Sequence, residues 1–281
     1  MAGPVVTAVS VIIPTFNRAD KVVRAISSVL AQTFSDYEII VVDDGSGDPT
    51  ALSLQQFGKK IKLITHSENK GVSASRNTGI RTAKSNLIAL LDSDDHWLPE
   101  KLKVQVEFFK ENPDAVACQT GEIWVRNNRR VNPRKKHIKP SGNIFESSLK
   151  LCLVSPSAIM LRRSLLDKVG LFDEGFPVCE DYDLWLRISC RYPVYLINQN
   201  LIIKEGGHKD QLSSSLKGMD RFRIKSMIKL LEEQSLNENQ KRAVLKELKE
   251  KCRIYGEGCL KRGKEEEGNY YLELPANLKV I

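Results

Sequence analysis

The sequence predicts an α/β protein: a doubly wound, mainly parallel central sheet with a C-terminal helical appendage. Three observations carry this reading. Short apolar, β-branched runs alternate with helical patterns over about the first hundred residues. Several of those runs end in aspartates, at the strand ends where such sheets bind ligands. From Arg221 onward the pattern is helical and rich in Lys and Glu.

The elements follow in order. "AVSVIIP" (8–14) is an apolar run closed by proline and reads as a buried strand. "DKVVRAISSVLAQT" sets Val22, Val23, Ile26, Val29 and Leu30 at helical spacing, with Asp20 as the expected N-cap. "YEIIVVDDGS" (37–46) is a second buried strand running into two aspartates, and "KIKLITH" a third strand. "GVSASRNTGIRTAK" reads as a helix of small residues lying close on the sheet, and "NLIALLD" as the fourth strand. "LPEKLKVQVEFFKENPD" is a helix opened by Pro99 and closed near Asn112-Pro113, followed by the strand "AVACQTGEIWV". Residues 126–143, "RNNRRVNPRKKHIKPSGN", carry seven Lys or Arg and two prolines and are expected to form an exposed loop.

The 281 residues suffice for one large domain, or one domain with an appendage. At 41% hydrophobic and 28% charged the composition is that of an ordinary globular protein. The net charge of +8 points to acidic partners such as nucleotide phosphates or anionic lipid, or to a plain solvated basic surface. No stacking-aromatic pattern accompanies the basic loop, so nucleic acid is not an expected partner. The six cysteines form no C-x-x-C pair, and most are expected as buried thiols in a reducing compartment. The N-terminus lacks the basic and apolar regions of a signal peptide, and no window approaches the roughly 20 apolar residues of a membrane span. The expected location is cytoplasmic, with peripheral contact at the inner face of the membrane an option. Neither G-x-x-x-x-G-K-[ST] nor G-x-G-x-x-G after the first strand is present, which excludes a P-loop protein and a standard dinucleotide binder.

"LIALLDSDDHWLP" (87–99) poses the central question. Three carboxylates, Asp92, Asp94 and Asp95, close a strand. Unpaired they repel one another, and burying each costs several kcal/mol, so positive charge should meet them. The fold class brings them to one rim with Asp43, Asp44 and the residues Thr15, Phe16, Asn17 and Arg18. One aspartate after a strand reads as a turn former; five at one rim read as a ligand site.

The segments 9–50, "NKGVSASRNTGI", "LIALLDSDD" and "EDYDLW", in that order, closely resemble glycosyltransferase family 2 with its GT-A fold. The resemblance covers about residues 8–210. It implies a metal-dependent, inverting transferase that moves a sugar from a nucleotide-sugar donor, most commonly UDP-linked, to a hydroxyl of a glycan, lipid-linked or protein acceptor. It implies a GT-A domain over 1–215, with a nucleotide-binding half at about 8–100 and an acceptor half at about 101–215, and a helical region at 216–281. In this family pattern Pro14, Thr15 and Asn17 contact the nucleotide, Asp44 recognises the base and Asp92 lies near the ribose. Asp94 and Asp95 hold Mn²⁺ or Mg²⁺, hard cations suited to carboxylate and phosphate oxygens, and His208 in "GGHKDQLS" is a further metal ligand. Arg76 either faces the donor or makes a helix-surface salt bridge. Asp181 matches the catalytic base that takes the acceptor proton, with Glu180 orienting it. Trp185 either packs in the core or lines the acceptor pocket.

Past about residue 215 the resemblance fades. "CRIYGEGCLKRGKEEEGNYYLEL" is similar to one helix of a tetratricopeptide repeat and the start of the next, and one partial unit does not stand alone. These helices are expected to pack back on the catalytic domain. The basic loop 126–139 and these helices are also the candidates for a membrane or protein contact. A reading from another class is a nucleotide-sugar-binding scaffold that has lost transfer.

Overall fold

The computed structural model describes residues 7–127, 129–207, 218–233 and 236–278. In chain order the strands are β1 (Val9–Thr15), β2 (Tyr37–Asp43), β3 (Lys62–Thr65), β4 (Leu87–Leu90), β5 (His96–Trp97), β6 (Ala117–Arg126), β7 (Arg129–Val131), β8 (Ile159–Arg162) and β9 (Tyr195–Gly206). The helices are α1 (Ala19–Leu30), α2 (Thr50–Leu54), α3 (Val72–Thr82), α4 (Lys101–Glu111), α5 (Phe145–Lys150), α6 (Arg163–Val169), α7 (Glu180–Ser189), α8 (Met219–Glu233), α9 (Glu238–Leu260) and α10 (Glu265–Asn277).

The strands make one sheet in the order β3-β2-β1-β4-β8-β6-β9-β5, with β7 hairpinned onto β6. The first four strands pair in parallel. Beyond β4 the sheet is mixed: β8 runs antiparallel to both β4 and β6, while β6 and β9 are parallel. Because strand side chains alternate, Val9, Val11 and Ile13 of β1 face α1 and α4, whereas Ile12 faces α3, α6 and α7. Apolar cores therefore fill both faces, which is why β1, β2 and β4 read as continuous apolar runs. Helix α3 lies very close: a Cβ built on Gly79 would stand 2.4 Å from Ile12 Cγ2.

The C-terminal helices do pack back. Ile224, Met227, Val244, Leu248 and Cys252 share a core with Phe145 and Leu149 of α5 and with Tyr182 and Leu186 of α7. Helices α9 and α10 form a hairpin whose crossing is set by Gly256 and Gly268, each closely facing the other's carbonyl. Asn237 and Gln240 cap α9 reciprocally.

Two local expectations are corrected. Helix α1 begins at Ala19, so Asp20 sits in the first turn rather than at the cap, and Asp48 and Thr50 receive the N–H groups of Ala19 and Arg18 instead. The stretch 126–143 is partly ordered: it includes the return strand β7, and Lys139 is drawn in to pair with Glu122 at 2.8 Å.

Candidate active site

The parallel strands deliver their C-terminal ends to one rim, and α7 meets it from the other half of the sheet. An open cleft of about 210 Å³ lies between them, lined by Pro14, Arg18, Arg76, Asp92–Asp95, Glu180, Asp181, Lys204 and Glu205, among others. Trp185 is buried in the core, edge-on to Phe172.

The carboxylates meet the chain's own cations. Arg76 of α3 donates 2.7 Å hydrogen bonds to Asp92 and to Glu180, tying the strand-end aspartates to the start of α7. Arg18 pairs with Asp94 at 3.0 Å. Asp95 is buried and accepts from Ser157 Oγ at 2.6 Å and from the Glu205 N–H at 3.1 Å. Burial raises the Asp95 pKa well above the usual range; Lys204 opposes this, and Asp94 and Asp92 push it further up. For Lys204 burial would lower the pKa, but the carboxylates of Glu122, Asp95, Asp92 and Asp181 raise it more, so it stays an ammonium. Burial, then Asp181, raises Glu180 against the pull of Arg76.

Cys179, in the left-handed region at φ +62°, turns the chain sharply into α7 and so aims Glu180 and Asp181 at the cleft. Asp181 is half-buried; Oδ1 accepts from the Tyr182 N–H, and the Cys152 thiol lies 3.4 Å from Oδ2. Burial and Asp181 hold that thiol protonated. Asp183, by contrast, is turned into the protein, paired with Arg187 at 2.9 Å.

A second cavity, of about 260 Å³, adjoins the cleft and shares Asp181, Lys204 and Glu205 with it. Asp181 thus stands in the wall between two spaces.

Of the residues that the sequence singles out, Pro14, Arg76, Asp92, Asp94, Asp95, Glu180 and Asp181 line the cleft. Thr15, Asn17 and Asp44 lie beside it. Asn17, at φ +51°, accepts from the Gly47 N–H and fixes the 46–48 turn. Asp44 accepts from His66 at 2.7 Å and from the N–H groups of Lys70 and Gly71. His208 lies outside the described residues. Sequence reasoning misses Lys204, Ser157 and Cys152; only Lys204 leaves a signal, as a charge pair ending the apolar run "LIIKEGG".

Among the described residues six acidic side chains and three cations line the cleft, and even with Asp95 and Glu180 shifted toward protonation it holds no surplus of positive charge to meet a diphosphate. Among them no three His, Cys, Asp or Glu side chains gather as a metal-binding group. The donor set fits a cation carried in with a diphosphate and held by one or two carboxylates rather than by a protein cage.

Solved structures share this architecture. The fold is similar to Staphylococcus aureus TarS residues 1–349 in complex with UDP-GlcNAc, with a TM-score of 0.68 at 16% identity, over 94% of this chain and 90% of that one. It is also similar to the mannosyltransferase PcManGT of Pyrobaculum calidifontis in complex with GDP-Man and Mn²⁺, with a TM-score of 0.69 at 15% identity, over 99% and 77% of the two chains. These likenesses define a GT-A fold.

The glycosyl transferase family 2 model matches residues 10–170, and the chain belongs to that family. It is 34% identical over 216 residues to the Escherichia coli UDP-Glc:alpha-D-GlcNAc-diphosphoundecaprenol beta-1,3-glucosyltransferase WfgD, covering 76% of this chain and 81% of that protein. It is 30% identical over 198 residues to the putative teichuronic acid biosynthesis glycosyltransferase TuaG of Bacillus subtilis, covering 69% and 77%. An uncharacterized glycosyltransferase of Rickettsia felis is 34% identical, but there the chain spans only 32% of the relative's length. The protein is a glycosyltransferase.

Proposed function

We propose that the chain transfers a sugar, with inversion, from a UDP-linked donor to a hydroxyl of a lipid-linked glycan, with Asp181 as general base. One observation carries the reading: Asp181 lies where the cleft and the second cavity share a wall. A donor in the cleft and an acceptor in the second cavity would meet at its carboxylate. The names of WfgD and TarS's bound ligand support the choice of UDP donor, and WfgD's name supports the acceptor class.

In this scheme Asp181 takes the acceptor proton as the hydroxyl attacks the anomeric carbon from the face opposite the nucleotide. The Tyr182 N–H and the Cys152 thiol hold its two oxygens in place. Arg76 and Glu180 fix the start of α7, and Pro14, Thr15, Asn17, Asp44 and Asp92 form the nucleotide side. A divalent cation, when bound, would offset the charge of the departing diphosphate. Asp94 is the carboxylate that would hold it, with Asp95 anchoring the turn and His208 as a further ligand. Among the described residues no helix is long and apolar enough to cross a membrane, and a lipid-linked acceptor would bring the chain to a membrane surface.

Asp181→Asn tests the reading, because it keeps shape and removes the proton acceptor. Donor affinity should stay near wild type while kcat falls about 10²-fold or more, the scale of lost general-base catalysis. Turnover near the wild-type rate would discard Asp181 as the base.

A further inference from the structure

Three cavities run in series. The cleft joins the second cavity at Asp181, and that cavity joins an outer groove of about 220 Å³ through the shared residues Trp124, Arg126 and His137. The groove is formed by the β6–β7 hairpin and the turn after it, and among the described residues no carboxylate lines it.

The middle cavity and the outer groove differ in chemistry. Glu122 and Trp124 line the middle one. The Glu122 side chain is only 4% exposed, and it accepts from Lys139 at 2.8 Å and from the Trp124 indole N–H at 2.9 Å. Burial would raise its pKa, but Lys139 and Lys204 bring it down to about 2, so it is a carboxylate at every working pH. A fixed carboxylate beside an indole suits a pyranose: the one accepts hydroxyl protons, the other covers an apolar sugar face. The outer groove carries Arg126, Arg134 and Lys136, none of which has an ion-pair partner among the described residues. Their field reaches His137, whose pKa is lowered by burial and then by Lys136, Arg134 and Arg126. Three clustered cations without ion-pair partners among the described residues make a site for a compact polyanion.

We propose that the middle cavity and outer groove together bind a sugar diphosphate acceptor, its sugar against Trp124 and Glu122 and its diphosphate on Arg126, Arg134 and Lys136. This rests on the transferase reading of Asp181 for its direction: the sugar lies toward the base, the diphosphate away from it. An acceptor charged along its whole length, such as an acidic polysaccharide, fits less well, because the cations of the middle cavity other than Arg126 are already matched: Lys139 pairs with Glu122, Arg223 with Asp220, and Lys204 faces the carboxylates of Glu122, Asp95 and Asp181.

The test uses the full chain saturated with UDP, so that the donor cleft is blocked, and titrates a ten-carbon alkyl diphosphate by calorimetry. Wild type should bind it. The double variant Arg134→Ser, Lys136→Ser, whose altered side chains are exposed, should keep its melting temperature and bind about tenfold more weakly or worse, the scale of one lost charge-assisted hydrogen bond. In transfer assays the variant should raise KM about tenfold for a sugar diphosphate acceptor and leave it unchanged for the same sugar on a neutral alkyl group. No binding to wild type, or equal binding to the variant, overturns the site. Loss of binding to phosphatidylglycerol vesicles without loss of alkyl diphosphate binding also overturns it, in favour of a membrane contact. Diphosphate binding that depends on Arg134 and Lys136 without transfer from any donor would sink the transferase reading and support the diphosphate site.

Discussion

Replacing Arg76 with Met should expose the electrostatics of the site through stability alone. The Arg76 side chain is 4% exposed and that of Glu180 9%. Removing one partner of such a buried pair costs about 3–5 kcal/mol when the other stays charged. Here the other can protonate. Glu180 in the folded protein is pushed up to about 7, by burial first and by Asp181, with Arg76 opposing. A carboxyl raised in the folded state contributes stability below its ordinary value of 4.5 that is lost as pH rises through about 7. Without Arg76 its pKa rises further. Between pH 5 and 6 both proteins fold with Glu180 largely protonated, and the variant should be weaker by about 2 kcal/mol, the two lost hydrogen bonds to Glu180 and Asp92. Above pH 7 wild-type Glu180 ionises against Arg76 while the variant's cannot, and the deficit should widen by about 1.4 kcal/mol per pH unit. Urea unfolding of both proteins from pH 5 to pH 9 measures this, since titrations common to both cancel. A deficit that is constant from pH 6 to pH 9 would refute the coupling of Arg76 to Glu180.

Three further outcomes are expected. Gly79→Ala should destabilise by about 1–3 kcal/mol, because the new methyl meets Ile12 and overpacking outweighs the gain in helix propensity, while Gly47→Ala, which meets nothing, should change little; thermal unfolding compares them. Lys101 is fully buried over the Trp97 ring at 4.0 Å, and burial brings it down to about 7, so it loses its proton on folding above that pH while the unfolded chain keeps it to about 10.5; wild-type stability therefore gains from Lys101 as pH rises between these values. Lys101→Met should be the more stable protein below pH 7, its advantage shrinking by about 1.4 kcal/mol per unit above it, and parallel pH profiles would disprove this. Asp94→Ala should weaken UDP-sugar binding about tenfold in Mn²⁺ and have little effect in EDTA; calorimetry in which EDTA leaves the wild-type affinity unchanged would remove the metal from the scheme.

The parallel half of the fold is legible in the sequence because its strands are buried on both faces and leave unbroken apolar runs, as in "VSVII" and "EIIVV". The antiparallel insertion of β8 between β4 and β6 is not, since four residues pairing with strands far away in sequence leave no periodic trace. The same holds within the site. The aspartates announce themselves by crowding at strand ends, and that crowding calls for the positive charge that is found there. Its local suppliers, Arg18, Arg76 and Lys204, come from three separate elements, and a contact between Arg76 and Glu180, 104 positions apart, is a product of topology. The three partners of Asp44, His66 and the N–H groups of Lys70 and Gly71, are likewise not legible in the sequence, because only the path of the 66–71 loop brings them there.

Helix α7 presents Leu184, Trp185 and Ile188 to the sheet and Tyr182 and Leu186 to the C-terminal helices. It is therefore clamped from both sides, and Tyr182 also anchors to the Leu149 carbonyl at 2.6 Å. A cut near residue 215, just ahead of α8, would strip one jaw of that clamp and leave an apolar stripe beside Asp181. The C-terminal region is thus not an exchangeable module. Swapping it between relatives would require the facing surfaces of α5 and α7 to be carried along, and any change there would be felt at the base before it was felt at the donor.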